Sequence, residues 1–299
     1  MTTINNISEL RELLASSRKA GKTIGFVPTM GALHEGHLSL VRASKEECDL
    51  TIVSIFVNPT QFGPTEDFSK YPRTIVEDTA LLETVGADIV FLPTPSEIYP
   101  VGASTTVDVG EIGAIFEGEI RPTHFAGVST VVASLFNITQ PDIAYFGQKD
   151  LQQVAILKKM ARDLHFPIKI SVCAVIRDSD GLAMSSRNRY LSAEDRSESL
   201  LLNKTLNHVK TCVESGISLS DCILSGKKFF AEHAKTAKLD YLAIVSPETF
   251  QIPHSFNESE TVGVIIAATV GTTRLIDNIL VSDENSASKR ITNAVTIAG

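Results

Sequence analysis

Apolar positions along this chain fall into two kinds of run, and the two kinds alternate. Residues 23–27 form a short apolar run that ends at Pro28. Residues 50–57 (Leu-Thr-Ile-Val-Ser-Ile-Phe-Val) are β-branched and almost wholly apolar, the pattern of a strand buried on both faces. Further strand-like runs lie at residues 88–92, 143–146 and 168–176. Between them the spacing becomes helical, over residues 38–47, 74–85, 128–138 and 151–164, with Leu81, Leu82 and Val85 at core positions. This alternation predicts a parallel sheet with right-handed crossovers. In such sheets ligands sit beyond the carboxyl ends of the strands.

The pattern changes in the second half. Ser192-Ala193-Glu194-Asp195 is a helix-start signal, followed by helical spacing to about Ser215. A second helix starts near Ser220, and strands are predicted at residues 239–245, 262–268 and 275–280. The expected fold is therefore α/β, with a Rossmann-like parallel-sheet domain over residues 1–177 and a smaller α+β domain over residues 178–299. The tail from Asp283 to Gly299 is polar and reads as loose.

With 299 residues, 43% of them hydrophobic, the chain can bury the core of one large or two ordinary domains. Its net charge of −8 argues against a broad nucleic-acid footprint, so a bound phosphate needs a local positive site. Cys48, Cys173, Cys212 and Cys222 show no Cys-x-x-Cys spacing and read as buried, reduced thiols. No basic segment followed by an apolar stretch opens the chain, and no apolar run is long enough to span a bilayer. A cytoplasmic protein without a nucleic-acid or membrane partner is expected.

Polar clusters directly follow three of the predicted strands. The first is Val27-Pro28-Thr29-Met30-Gly31-Ala32-Leu33-His34-Glu35-Gly36-His37. A helix N-terminus offers unpaired N–H groups and a partial positive charge, so it receives phosphate well. His34 and His37, placed where helical spacing begins, can donate to an anion or to charge developing in a transition state. A metalloprotease zinc site needs His-Glu-x-x-His on one helix face; here the spacing is one residue short and Gly36 interrupts, so no metal ligands are expected. The second cluster holds Asn58 and Gln61, uncharged donors and acceptors suited to a hydroxyl or carboxylate of a small substrate. In the third, Gly147-Gln148-Lys149-Asp150, Lys149 can place a charge at a phosphate or carboxylate. Asp150 can accept from a ribose hydroxyl or cap the next helix, whose first turn carries Gln153. Convergence of the three clusters on one sheet edge says more than any one of them.

At the expected domain junction, Met184-Ser185-Ser186-Arg187 joins two small hydroxyls to a permanently charged, planar guanidinium. The run suits a triphosphate or is a polar linker. No Walker A loop and no Gly-x-Gly-x-x-Gly follows a strand, so a P-loop kinase and an NAD dehydrogenase fit poorly. The carboxylate pairs Glu66-Asp67 and Glu77-Asp78 read as solvated faces or caps rather than an acid/base dyad.

The His-x-Gly-His run followed by Met-Ser-Ser-Arg is similar to the HIGH and KMSKS-like signatures of the superfamily of nucleotidyltransferases and class I aminoacyl-tRNA synthetases. One family matches more closely. Val27 to His37, Ser54-Ile55-Phe56-Val57-Asn58-Pro59-Thr60-Gln61-Phe62, Tyr71-Pro72-Arg73-Thr74, His124-Phe125-Ala126-Gly127-Val128, Phe146-Gly147-Gln148-Lys149-Asp150-Leu151-Gln152-Gln153 and Met184-Ser185-Ser186-Arg187-Asn188 resemble the pantothenate synthetase (pantoate–β-alanine ligase) family, in that family's order. Arg274-Leu275-Ile276-Asp277-Asn278 resembles it near the end.

The resemblance implies ATP-dependent condensation of (R)-pantoate with β-alanine to pantothenate through pantoyl adenylate, releasing pyrophosphate and AMP. It implies Mg²⁺ as the counter-ion of ATP, and a cytoplasmic homodimer with a Rossmann-like N-terminal domain and a C-terminal lid. It places Met30, Gly31, Ala32, Leu33, His34, Glu35, Gly36 and His37 along the ATP site, with the two histidines stabilising phosphate charge and His37 as candidate proton donor. Gly147, Gln148, Lys149 and Asp150 then bind the nucleotide, Lys149 also reaching the reacting carboxylate. Met184, Ser185, Ser186 and Arg187 contact the triphosphate, and Ile176 meets adenine through its backbone. Gln61 and Gln153 hold pantoate, with Asn58 beside them, and Gln61 also meets β-alanine. Gln148 stands where the family often has Glu, and Thr60 where Met is common. Two rival readings remain: an adenylyltransferase for a phosphate acceptor, which needs additional basic residues, and a non-catalytic nucleotide-binding scaffold, against which His34, His37, Lys149 and Arg187 argue.

Overall fold

The computed structural model describes residues 1–63, 67–256 and 261–282; Glu66 and the polar tail from Asp283 lie outside them. The chain divides into two compact units. One comprises Met1–Gln148, Gln152–Ile176 and Met184–Ser186; the other comprises Lys149–Leu151, Arg177–Ala183 and the chain from Arg187 onward.

The first unit contains β1 (Thr2–Ile4), α1 (Ile7–Lys19), β2 (Ile24–Thr29), α2 (Glu35–Glu47), β3 (Leu50–Ile55), α3 (Ile75–Thr84), β4 (Ile89–Phe91), α4 (Pro95–Ile98), α5 (Glu117–Ile120), α6 (His124–Thr139), β5 (Ile143–Gly147), α7 (Leu151–Asp163) and β6 (Lys169–Cys173). Its six strands are parallel in the order β1-β4-β3-β2-β5-β6. The chain builds outward from β2 on one side, then crosses to lay β5 and β6 on the other. The boundary between β2 and β5 is thus the topological switch point, where ligands bind in such sheets. Ile24 pairs with Leu50 and Gly25 with Ile143, so the carboxyl ends of β3, β2 and β5 are neighbours. The inner strands β2, β3, β4 and β5 are buried on both faces; Phe26, Val27, Ile52, Val53, Val90, Phe91, Ala144 and Tyr145 have no exposed surface. Each large apolar side chain among them contributes about 1.5–3 kcal/mol by leaving water.

The elements differ from the sequence reading in a few places. Strand β1 and helix α1 were not expected. The buried face of α1 is only Leu10 and Leu14, although Asn6 caps it, its Oδ1 accepting from Glu9 N at 2.9 Å. Strand β2 continues through Pro28 because β5 pairs with it only at Gly25 and Phe26, so no ladder bond requires the proline's missing N–H. Strand β3 stops at Ile55, where its partner β2 ends at Thr29. Strand β6 stops at Cys173 rather than Ile176, because β5 offers no partner beyond Gly147.

The second unit holds α8 (Ala193–Glu214), α9 (Leu219–His233) and the antiparallel strands β7 (Lys238–Val245), β8 (Thr261–Val270) and β9 (Thr273–Ser282), in the order β7-β8-β9. Ser192 and Ser218 cap the two helices through their hydroxyls. Val262, Val264, Ile266 and Ala268 of β8 pack with Leu202, Leu206 and Val209 of α8 in one core. All four cysteines are free. Cys48 and Cys222 are buried as expected, but Cys173, on the edge strand, and Cys212 are only half-buried. Among the described residues no helix is long and apolar enough to cross a membrane.

Glu198 on α8 clasps the segment between α9 and β7. Its carboxylate accepts from Lys235 N (2.8 Å), Thr236 N (2.6 Å), Ala237 N (2.7 Å) and Thr236 Oγ1 (2.7 Å). Burial pushes this carboxyl up, but the four hydrogen bonds together outweigh it and bring it down from 4.5 to about 2. A folded-state value below the unfolded one contributes stability that is present above 4.5 and is lost as the pH falls toward 2. The melting-temperature gap between the parent and Glu198→Gln should therefore be constant above about pH 5 and shrink steadily below it. Calorimetric scans across this range check it; a gap indifferent to pH refutes the clasp.

Candidate active site

The chain leaves β2 at Thr29 and turns through two left-handed residues, Gly31 (φ 81°) and Ala32 (φ 51°). Glycine is required at the first. Besides the positive φ, a Cβ there would lie 3.0 Å from both Asp78 Oδ2 and Ile55 Cγ2. Asp78 holds the second: its carboxylate accepts from Ala32 N (3.0 Å) and Leu33 N (2.7 Å), and from Thr74 Oγ1 (3.2 Å). Read from sequence as a solvated or capping residue, Asp78 is 2% exposed. It does serve as a cap, but inside the protein and for a turn 45 residues away in sequence. Its neighbour Glu77 is exposed, as expected.

Beyond this turn α2 starts at Glu35, three residues earlier than the apolar spacing indicates. The reason lies in the histidines themselves. His34 is the N-cap, its Nδ1 accepting from Gly36 N at 3.1 Å. His37 is the third helical residue, and its Nδ1 accepts from His34 N at 3.3 Å. The two bonds form a reciprocal capping box. The ring centroids are 4.1 Å apart. A ring nitrogen that accepts from a backbone N–H carries no proton, so this network assigns the proton of each ring to Nε2. Gly36 is sterically required, because a Cβ there would lie 2.9 Å from the His34 ring. Glu35 is directed to Arg42, whose hydrogen bond holds its carboxyl below the usual range.

After β3, Asn58 caps the 3₁₀ turn Pro59–Gln61. Expected to meet substrate directly, Asn58 is 1% exposed and its amide is engaged within the protein. Nδ2 donates to Gln61 Oε1 and to Gly127 O, both at 3.1 Å. Oδ1 accepts from Tyr99 OH (2.8 Å), Thr60 Oγ1 (3.0 Å) and Thr60 N (3.3 Å). Asn58 thereby orients Gln61, whose Nε2 donates to Met30 Sδ at 3.0 Å. Burial pushes the Tyr99 phenol up, so Tyr99 keeps its proton for Asn58. Helix α6 packs against the turn at Gly127, where a Cβ would lie 2.4 Å from the Thr60 carbonyl oxygen. At the start of α6, His124 Nδ1 bonds Gln61 O at 3.0 Å.

Gln148–Asp150 form a 3₁₀ turn between β5 and α7. Lys149 Nζ lies 3.7 Å from Asp150 Oδ1. Gln153 is half-buried on the first turn of α7. Its buried neighbour Gln152 ties down the segment before α6, donating to Ile112 O (2.9 Å) and Ile115 O (2.8 Å) and accepting from Glu117 N (3.2 Å). Met184 N donates to Ile176 O at 3.0 Å, so that carbonyl already has a backbone partner. Met184 Cβ lies 3.9 Å from the Cβ position of Gly36, which brings this segment to the first turn of α2. Ser185 and Ser186 are half-buried. Lys149, Asp150 and Arg187 group with the second unit. The first unit thus brings together the Met30–His37 turn, Gln61 and Met184. Sequence reading missed Asp78, Tyr99 and Gln152. Gln152 lies inside a matched family run and Asp78 four residues beyond another, whereas Tyr99 carries no sequence signal. Among the described residues no three His, Cys, Asp or Glu side chains are grouped to hold a metal ion.

A parallel sheet with a histidine-capped helix at its switch point defines the HIGH-motif class of α/β enzymes. Comparison with known proteins narrows this class. The family described as Pantoate-beta-alanine ligase matches residues 2–280. Pantothenate synthetase of Acidobacterium capsulatum is 52% identical over 268 residues, covering 90% of this chain and 89% of that protein. That of Caldicellulosiruptor saccharolyticus is 48% identical over 281 residues, 94% and 99% of the two chains. The crystal structure of pantothenate synthetase from Thermus thermophilus matches with a TM-score of 0.87 at 42% identity, covering 93% of this chain and 99% of that one. Pantoate-beta-alanine ligase from Francisella tularensis, complexed with beta-gamma ATP and beta-alanine, matches with a TM-score of 0.77 at 36% identity, covering 94% and 97%. The chain belongs to the pantoate–β-alanine ligase family. It is an acid–amino-acid ligase that joins pantoate to β-alanine.

Removing the Asp78 carboxylate strands the buried N–H groups of Ala32 and Leu33. Asp78→Ala should cost about 2–4 kcal/mol of stability. Because the turn carries His34, activity of the folded variant should fall more than tenfold, which urea unfolding and steady-state turnover measure together.

Proposed function

We propose that the chain makes pantothenate in two steps at the expense of ATP. In the first, a carboxylate oxygen of (R)-pantoate attacks the α-phosphorus, forming pantoyl adenylate and expelling pyrophosphate. In the second, the amine of β-alanine attacks the acyl carbon, loses a proton and expels AMP. The observation that carries this reading is the pair of imidazoles at the N-terminus of α2, each with Nδ1 on a backbone N–H and its proton on Nε2. Two such donors beside a helix N-terminus suit a polyphosphate and the negative charge that grows on it during transfer. The Francisella relative, complexed with an ATP compound and β-alanine, supports both as substrates here.

No protein nucleophile is needed, since both attacking groups belong to substrates. The protein contributes alignment, worth roughly 7–11 kcal/mol, and donors to developing charge, worth about 2.7–4 kcal/mol each. Met30 to Leu33, with Glu35 and Gly36, line the ATP site through their backbone, and His34 and His37 stabilise the phosphates, with His37 the proton donor. Gln61 and Gln153 hold pantoate, and Asn58 acts through Gln61. Lys149 serves the reacting carboxylate, and Gly147, Gln148, Asp150 and Ile176 serve the nucleoside. Met184, Ser185, Ser186 and Arg187 bind the triphosphate. Mg²⁺ enters as the counter-ion of ATP. Residues 1–177 form the ATP- and pantoate-binding domain and residues 178–299 the second domain of a cytoplasmic homodimer that needs no nucleic-acid or membrane partner.

Two measurements test this. His37→Ala should lower turnover by about 10²–10³-fold, and loss of its capping-box bond should cost about 1 kcal/mol of stability; normal turnover removes His37 from the chemistry. With (R)-pantoate and ATP but no β-alanine, one pyrophosphate should form per site while the acyl adenylate stays bound. Product formed without that burst, and only when all three substrates are present, sinks the two-step route. Pantoate-dependent exchange of pyrophosphate into ATP separates the reading from an adenylyltransferase.

A further inference from the structure

Arg274-Leu275-Ile276-Asp277-Asn278 is a matched run that the reaction leaves without a role. It lies on β9, an edge strand of the three-stranded sheet. An edge strand leaves alternate N–H and C=O groups without a ladder partner. At Asn278 side chains meet both: its N–H donates to Oδ1 of the preceding Asp277 at 2.7 Å, and its carbonyl accepts from Arg177 Nη2, outside the sheet, at 3.3 Å. Arg177 also grips the Asp277 carboxylate with two hydrogen bonds of 2.6 and 3.0 Å, and Gly181 O with a third of 3.2 Å. Asp277 is 4% exposed and Asn278 2%. Burial pushes the Asp277 carboxyl up, while the Arg177 guanidinium, the Asn278 N–H and the Lys149 ammonium pull the other way.

A buried asparagine held so firmly can hold something else, and its side chain does. Asn278 Nδ2 donates to the backbone carbonyl of Lys149 at 2.8 Å. Lys149 sits in the middle of a three-residue 3₁₀ turn, Gln148–Asp150. A turn that short fixes its own backbone poorly. A lysine ammonium rides on a flexible four-carbon stem, so its reach depends on where its Cα is anchored.

We propose that Asn278, locked by the Arg177–Asp277 pair, is a positioning residue that anchors Lys149 for the reaction. This rests on the role given to Lys149 above. The anchor is a single neutral hydrogen bond to a main-chain oxygen, so it leaves the Lys149 charge untouched and sets only its place. Misplacement of a reacting group by about 1 Å can cost 10²-fold in rate.

The test is a double-mutant cycle on the full chain, with kcat and the KM for each substrate measured for the parent, Asn278→Ala, Lys149→Ala and the double variant. Asn278→Ala should lower kcat about 10- to 100-fold, while the KM for ATP changes by less than about threefold. The double variant should be no slower than Lys149→Ala alone, because the anchor has nothing left to place. Losses that multiply, or an Asn278→Ala enzyme with parental kcat, overturn the proposal. Asn278→Leu, which keeps the volume and removes the donor, gives the same readout should the alanine variant fail to fold. A Lys149→Ala enzyme with full activity ends the role of Lys149 and this inference with it. A parent that releases no AMP in response to pantoate and β-alanine fails the reading of the reaction itself, which the cycle's ratios do not address.

Discussion

Two imidazole Nδ1 atoms that each accept a backbone N–H at the start of α2 form the constraint on which the rest of this site depends. One histidine caps the helix and the other closes back on the cap. The bonds decide which nitrogen of each ring bears the proton, and they place both rings at the positive end of a helix on the switch-point strand of the sheet. The arrangement tolerates little change around it. Gly31 and Gly36 leave no room for a Cβ, and the buried Asp78 carboxylate holds the left-handed Ala32 in place through two consecutive N–H groups.

Buried polar groups hold the polar side chains at the strand ends in place. Asn58 is enclosed, and its bonds to Tyr99 and Thr60 settle how it presents an N–H to Gln61. Gln152, on the first turn of α7, ties down three backbone groups before α6. Buried amides of this kind are stable only when their donors and acceptors are matched, so each one fixes the geometry of its partners. The second unit repeats the device at the edge of its sheet, where Arg177 and Asp277 enclose the backbone of Asn278.

These features suit a ligase whose substrates bring their own nucleophiles. The proposed reaction needs no activated serine or cysteine, and burial pushes the Cys48, Cys173 and Cys222 thiols up, away from thiolate chemistry. It needs donors fixed before the reaction begins, because preorganised donors stabilise developing charge without reorganising.

The sequence by itself determined the alternation of strands and helices, the parallel-sheet and α+β character of the two halves, and the polar runs that follow β2, β3 and β5. It could do so because hydrophobic period and cap chemistry are local properties, and because the family motifs are contiguous. Where local signals were thin, as for α1 with its two buried leucines, or where pairing ended, as at β3 and β6, the sequence was silent or ran too long. Only the tertiary structure decided that Asp78 serves a turn before α2, that Asn58 bonds Gln61, that Tyr99 stands behind it, and that Asn278 reaches Lys149. Each of these is a hydrogen bond or chain of bonds between residues from 3 to 129 positions apart. A buried polar group's partner is chosen by which backbone or side chain the fold brings within about 3 Å, and no periodicity along the chain records that choice.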